Sequence, residues 1–236
     1  MSPTDTPFRH FHDQLTALNR RLLTMSESAE ALVEMAVDAL LTKDAAKAQA
    51  VIDADSDLDA MELELESAAL ELLALQQPMA RDLRFIVSAI KVTSDLERVG
   101  DHAVNIAQAA LRLVSLHRAV VPDPSIEDMA RRARAMLADA ISAFLRADGA
   151  LGRDVCARDD QVDALHESVF RILLTHMMGD ARTINTSLEY LLVSRNLERV
   201  ADLATNISED AVFLAEGKNI KHAGVAEASR GGTFTS

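Results

Sequence analysis

The chain has no tryptophan, one tyrosine, one cysteine, and only 8 glycines and 5 prolines in 236 residues. Each scarcity excludes something. Aromatic residues make up 3 % of the chain, too few for the aromatic and β-branched strands of a sheet protein, and the shortage of turn residues argues the same way. The lone thiol, Cys156, cannot form an internal disulfide and suits a reducing compartment. No apolar run reaches the roughly 18 residues that a membrane span needs. The opening "MSPTDTPFRHF" lacks the basic stretch and apolar core of a secretion signal. Positive charge is also short: 24 Lys and Arg against 37 Asp and Glu leave a formal charge of −13. Nucleic acid and anionic membrane are therefore poor direct partners, whereas a cation or a basic protein surface is a good one. A cytoplasmic protein without direct membrane insertion is expected.

What is abundant is Ala, Leu and Val in helical spacing. Val51, Ala54, Leu58, Met61, Leu65, Ala68, Leu72 and Leu75 step three and four residues apart, as do Leu96, Val99, Ala103, Ile106 and Ala110. Such seams pack helices against neighbours. The chain is also an internal duplication. "DLERVGDHAVNI" from Asp95 returns as "NLERVADLATNI" from Asn196, carrying Glu97 onto Glu198 at an offset of 101. "MSESAEALVEMAVDALLTKD" from Met25 lies over "MARRARAMLADAISAFLRAD" from Met129 at an offset of 104, so the second copy is three residues shorter near a turn.

Each copy reads as three helices. In the first they are expected over about 8–42, 45–75 and 78–116, with Asp44 capping the second and Pro78 as a first helical residue of the third. "VVPDPS" (120–125) is the linker, and Ser125 with Asp128 resembles a capping box. In the second copy the middle helix is expected over about 152–177, the turn at Gly179–Asp180, and the last helix to about Glu216. The fold class is all-α: two tandem, pseudo-repeated three-helix bundles over 8–118 and 124–216, with residues 217–236 a disordered tail of small polar residues.

The acids are arranged. Asp55, Asp59, Glu62 and Glu66 form one stripe, one residue after an apolar seam; Glu97, Asp101 and Asn105 form another, also one residue after its seam. One residue is a rotation of about 100°, and on antiparallel neighbours that rotation carries both stripes to the same side. The pairs Asp55/Asp59 and Glu97/Asp101 are equidistant from Pro78; Asp159/Asp163 and Glu198/Asp202 are equidistant from Gly179–Asp180. Like charges four apart on a helix cost roughly 0.2–0.5 kcal/mol per pair. An isolated pair of this kind reads as a solvated face. Four pairs, matched in height and duplicated, point to a cation held by Asp55, Asp59, Glu97 and Asp101, and by Asp159, Asp163, Glu198 and Asp202. Oxygen donors favour magnesium, manganese, calcium or iron, while structural zinc prefers Cys and His; the cofactor expectation is a divalent or trivalent ion, with iron, manganese, magnesium and zinc all retained. Glu62, Asn105, His166 and Asn206 border the stripes as supporting groups. Arg98 and Arg199 either support the acids or pair with a neighbouring helix. His102 reads as an ordinary surface or core histidine, Met79, Met177 and Met178 as packing, and Cys156 as core.

The segments "QQPMARDLRFIVSAIKVTSDLERVGDHAVNIA" (76–107) and "LEYLLVSRNLERVADLATNISED" (188–210), with the acidic helices "DADSDLDAMELELE" (53–66) and "RDDQVDALHE" (158–167), resemble the PhoU family of bacterial phosphate-signalling regulators. The resemblance implies two three-helix bundles, metal clusters on the acidic motifs, and a homodimer. It further implies a negative regulator of the phosphate-starvation response that limits phosphate uptake. As an adaptor it would link the ATPase subunit of the phosphate ABC transporter to the sensor histidine kinase. The second copy departs from the first: "QQPMARDLR" becomes "MMGDARTIN", and Glu62 becomes His166. No Gly-rich phosphate loop is present, so a non-enzymatic adaptor is expected. Two alternatives stand beside it: a carboxylate-bridged metal enzyme, although no histidine follows a glutamate by three residues as such bundles require, and a metal-free accessory scaffold of a phosphate permease.

Overall fold

The computed structural model describes residues 7–116 and 124–220. Among them there is no strand, and the chain forms two repeated helical bundles. The first contains α1 (Pro7–Thr42), α2 (Ala45–Asp53), α3 (Asp55–Gln76) and α4 (Ala80–Ser115); the second contains α5 (Pro124–Arg146), α6 (Gly149–Gly179), a 3-10 turn (Ala181–Thr183) and α7 (Ile184–Glu216). The apolar seams face inward as their spacing requires: Val51, Leu58, Leu65 and Leu72 are buried, and so are Leu96, Val99, Ala103, Ile106 and Ala110.

Several boundaries differ from the sequence reading for identifiable reasons. The rod expected over 45–75 is interrupted at Ala54, which serves as C-cap of α2 and N-cap of α3. The interruption gives α3 its own N-terminus, with Asp55 and Asp57 in the first turn, where the helix dipole favours negative charge. At the matching position of the second bundle stands Arg158, tied to Asp139 at 2.7 Å and facing Asp154 at 3.3 Å, and α6 runs through unbroken. Pro78 is not helical; Gln77 takes a left-handed conformation (φ 46°) and Met79 becomes the N-cap of α4. α5 begins at Pro124, one residue before Ser125. Residues 120–123 of the expected linker, and 221–236 of the expected tail, lie outside the described residues.

Asp44 does cap α2, accepting from the amides of Ala46 and Lys47 at 3.0 and 3.1 Å. Its repeat partner Asp148 caps α6 in the same way, accepting from Ala150 and Leu151 at 3.0 Å each. That cap starts α6 three residues before the expected Gly152.

The bundles join through α4 and α7. Ser88 and Lys91 reach Asp210 (3.4 and 3.2 Å), His102 meets Asn196 (2.9 Å), and Arg112 grips both oxygens of Glu189 (2.9 and 2.8 Å). As the α4 number rises the α7 number falls, so the two helices are antiparallel. Arg134 of α5 pairs with Glu34 of α1 at 3.0 Å, a second link between the bundles.

Candidate metal centre

The acidic stripes land on the open edges of α3–α4 and α6–α7. On α4, Lys91, Arg98, Asp101 and Asn105 are exposed; on α7, Arg195 and Arg199 are exposed. The partly exposed α4–α7 side-chain pairs share that side of the seam, so both acidic grooves open on one face of the molecule. Gly100 allows the first groove to form: a Cβ there would stand 2.4 Å from Leu58 Cδ2 and 3.7 Å from Asp55 Oδ1, so its absence lets α4 approach α3 at the level of the acids.

In the first groove Asp55, Asp59, Glu62, Glu97 and Asp101 feel one another across the two helices. Glu97 is pushed up from 4.5 to about 7, first by loss of water on burial, then by the charges of Asp101, Glu62, Asp59 and Asp55. Asp55 is raised by burial and by Asp59 and Asp101. Glu62 is raised by burial, Glu66 and Asp59, against a hydrogen bond with Ser94. None of these shifts is countered by a basic side chain: Arg98 faces Asp95 at 3.7 Å instead.

The second groove is different. Asp159 is pushed up to about 6 by burial, then by Asp163, Asp202 and Asp160, and its Oδ1 is buried without a hydrogen-bond partner. Yet Arg199 reaches into the cluster, 2.7 Å from Asp202 and 3.5 Å from Glu198. Asp163 and Glu198 are raised chiefly by burial, with Arg199 and His166 pulling both down. His166 itself contacts the Ser194 hydroxyl at 3.0 Å. Of the two arginines left open by the sequence, neither pairs with a neighbouring helix: Arg98 faces Asp95, outside the acidic cluster, whereas Arg199 faces the cluster acids Glu198 and Asp202, in each case on its own helix.

All eight sequence-predicted carboxylates therefore fall in the two grooves. Asp59, Asp101 and Asp163 stand open to water and the other five are half-buried. As they are placed, no three His, Cys, Asp or Glu side chains among the described residues converge tightly enough to enclose an ion. The donor set nonetheless fits a hard cation by its chemistry. It consists of carboxylates only, it is short of positive charge in the first groove, and it carries an orphaned buried oxygen in the second. Asn105 and Asn206 border the grooves, the first exposed and the second half-buried. Sequence reasoning missed Asp160 and Ser94; an acid beside Asp159 was visible, but Ser94 carries no signal of its own. Cys156 is half-buried rather than core, its thiol 3.9 Å from the Thr205 carbonyl.

The family model described as "PhoU domain" matches residues 22–110 and again 126–211. A protein of Caulobacter vibrioides named as a phosphate-specific transport system accessory protein PhoU homolog is 38 % identical over 217 residues, covering 92 % of this chain and 94 % of the relative. One of the same name from Clostridium acetobutylicum is 36 % identical, covering 89 % and 96 %. The crystal structure of PhoU from Pseudomonas aeruginosa superposes with a TM-score of 0.86 at 34 % identity, covering 88 % of this chain and 100 % of that one. The phosphate transport system regulatory protein PhoU from Streptococcus pneumoniae gives 0.82 at 30 %, covering 89 % and 98 %.

Proposed function

The chain belongs to the PhoU family, and from that premise we propose that it is a non-enzymatic accessory protein of a phosphate-specific transport system. Its role is to hold the phosphate-starvation response off and to limit uptake when phosphate is plentiful. It does so as a cytoplasmic adaptor between the ATPase subunit of the phosphate ABC transporter and the sensor histidine kinase. The relatives' names support the transport role, and the net charge of −13 suits docking on basic surfaces of such partners. No helix among the described residues is long and apolar enough to cross a membrane. Exposed side chains at the two hairpin tips, Leu75 and Met79 on one and Met178 and Leu188 on the other, offer apolar area for a homodimer or for those partners.

The observation that carries the metal part of the proposal is Glu97, held at about 7 by burial and by four other carboxylates. Asp55, Asp59, Glu97 and Asp101 would hold the ion in the first groove, and Asp159, Asp163, Glu198 and Asp202 in the second. A bound ion would supply positive charge that lets the two helices of each pair keep their acids together. Because Arg199 already supplies part of that charge in the second groove, the first is the stronger site.

The test is genetic and analytical together. Removing the gene should leave a phosphate-starvation reporter switched on in phosphate-rich medium. The wild-type chain should restore repression, and the variant with Asp55, Asp59 and Asp101 changed to Asn and Glu97 to Gln should not. A reporter unaffected by the deletion would refute the regulatory reading. Equal metal content in purified wild-type and variant protein would refute the ion site and leave a metal-free scaffold.

A further inference from the structure

The two grooves carry matching acids, yet their arginines sit differently, and a residue three positions before each arginine differs too. At the offset of 101, Glu97, Arg98 and Asp101 of α4 correspond to Glu198, Arg199 and Asp202 of α7, whereas Asp95 corresponds to Asn196. Residues three apart on a helix are neighbours on its surface. In the first copy Asp95, its side chain only 14 % exposed, lies 3.7 Å from the Arg98 guanidinium. Burial and neighbouring acids raise Asp55, Glu62 and Glu97 there, with no arginine to offset them.

In the second copy an amide stands in place of that acid. Asn196 gives its nitrogen to the Leu192 carbonyl at 2.7 Å, and its oxygen accepts from His102 Nδ1 across the α4–α7 contact at 2.9 Å. Both ends of the side chain are engaged, and it carries no charge to hold a guanidinium. Arg199 turns the other way along its helix, to Asp202 at 2.7 Å, and lies 3.5 Å from Glu198. Its charge also reaches across the groove: it pulls Asp163 of α6 down, as it does Glu198, against the burial that raises both.

We propose that Asp95 and Asn196 are positioning residues that set which groove takes a cation first. An acid three residues before the arginine keeps the guanidinium beside it and leaves the four carboxylates to an ion. An amide there leaves the guanidinium to the carboxylates, and an ion then meets acids that are already partly neutralised. The acids themselves do not make the difference, because each groove has three aspartates and one glutamate at matching positions. One substitution per helix therefore exchanges the two behaviours. This inference rests on the ion-site reading above, and its test separates the two.

The test is a manganese titration of the full chain, with the free ion read by electron paramagnetic resonance. Each groove is read alone by changing the four acids of the other to amides. The first should bind more tightly than the second. Arg199→Gln should strengthen the second groove by roughly tenfold, the scale of removing one unit charge beside a divalent ion in water, and Asn196→Asp should act in the same direction. Asp95→Asn should weaken the first groove by a similar factor. A gain in affinity cannot be imitated by loss of folding. Two controls separate positioning from added charge. Arg195→Gln removes the same charge from an exposed position one turn away on α7 and should change the second groove far less. Asn196→Asp should add little once Arg199→Gln is present. A second groove that Arg199→Gln and Asn196→Asp leave unchanged, while the first binds manganese, would overturn this inference alone. So would an Asn196→Asp gain that persists undiminished beside Arg199→Gln. Manganese bound by neither groove in any form would overturn the ion-site reading and this inference with it.

Discussion

Glu97→Gln isolates the electrostatic strain in the first groove. The substitution keeps the side chain's size and removes its charge. Glu97 is held at about 7 against an ordinary 4.5, chiefly by burial and then by Asp101 and Glu62. A carboxyl raised in this way contributes stability that is fully present below its unfolded value, near 4.5. That contribution is lost as pH climbs through 7, where the folded state must carry a charge it resists. For a dry site the difference would be worth roughly 3 kcal/mol; Glu97 is partly open to water, so screening reduces it to about 1 kcal/mol. In chelator at pH 8 the variant should therefore be more stable than wild type by about 1 kcal/mol, a rise in Tm of about 2–4 °C for a chain of this size. At pH 5, where wild-type Glu97 is already protonated, the two should melt together. Added manganese should reverse the order at pH 8, stabilising wild type more than the variant. Scanning calorimetry at pH 5, 6.5 and 8, with and without metal, reads all of this. A variant that is less stable than wild type at pH 8 in chelator, or a difference that does not change with pH, would show that the acids are not crowded.

Three further outcomes follow from the packing. Asp44→Ala and Asp148→Ala should each cost about 1 kcal/mol in denaturant melts, because each removes a side chain that accepts two first-turn amides; no change in midpoint would argue against the caps. Gly152→Ala should cost about 1–3 kcal/mol, since its Cβ would meet the Ser208 backbone carbonyl at 2.8 Å, and backbone cannot swing aside as a side chain can; wild-type stability would show that α6 and α7 are less closely packed. Cys156, its thiol pushed up to about 11 by burial and then by Glu209 and Asp159, should react with a disulfide reagent at pH 7.5 far more slowly than free cysteine; rapid labelling of the folded protein would rule out its burial.

Much of this molecule is legible in its amino-acid sequence because the chain states its design twice. The repeated Glu-Arg-x-x-Asp stretch fixes where α4 and α7 correspond, and the one-residue step from each seam places the acids on shared grooves. What stays hidden is contact-dependent. Nothing in "LERV" tells that Arg98 turns to Asp95 whereas Arg199 turns to Asp202. The interruption at Ala54 is masked by an apolar seam that continues across it, because periodicity reports the buried face and not continuity of the backbone.

Whether the paired acidic grooves are ion sites is decided by crystals of the full chain soaked in manganese and measured at a wavelength sensitive to that metal. An anomalous peak is expected between Asp55, Asp59, Glu97 and Asp101, with weaker or later-filling density by Asp159, Asp163 and Asp202. The first peak should vanish once its four acids are replaced by amides. Empty grooves at saturating metal, with these carboxylates directed apart into solvent, would mean that no ion holds the helices' acids together.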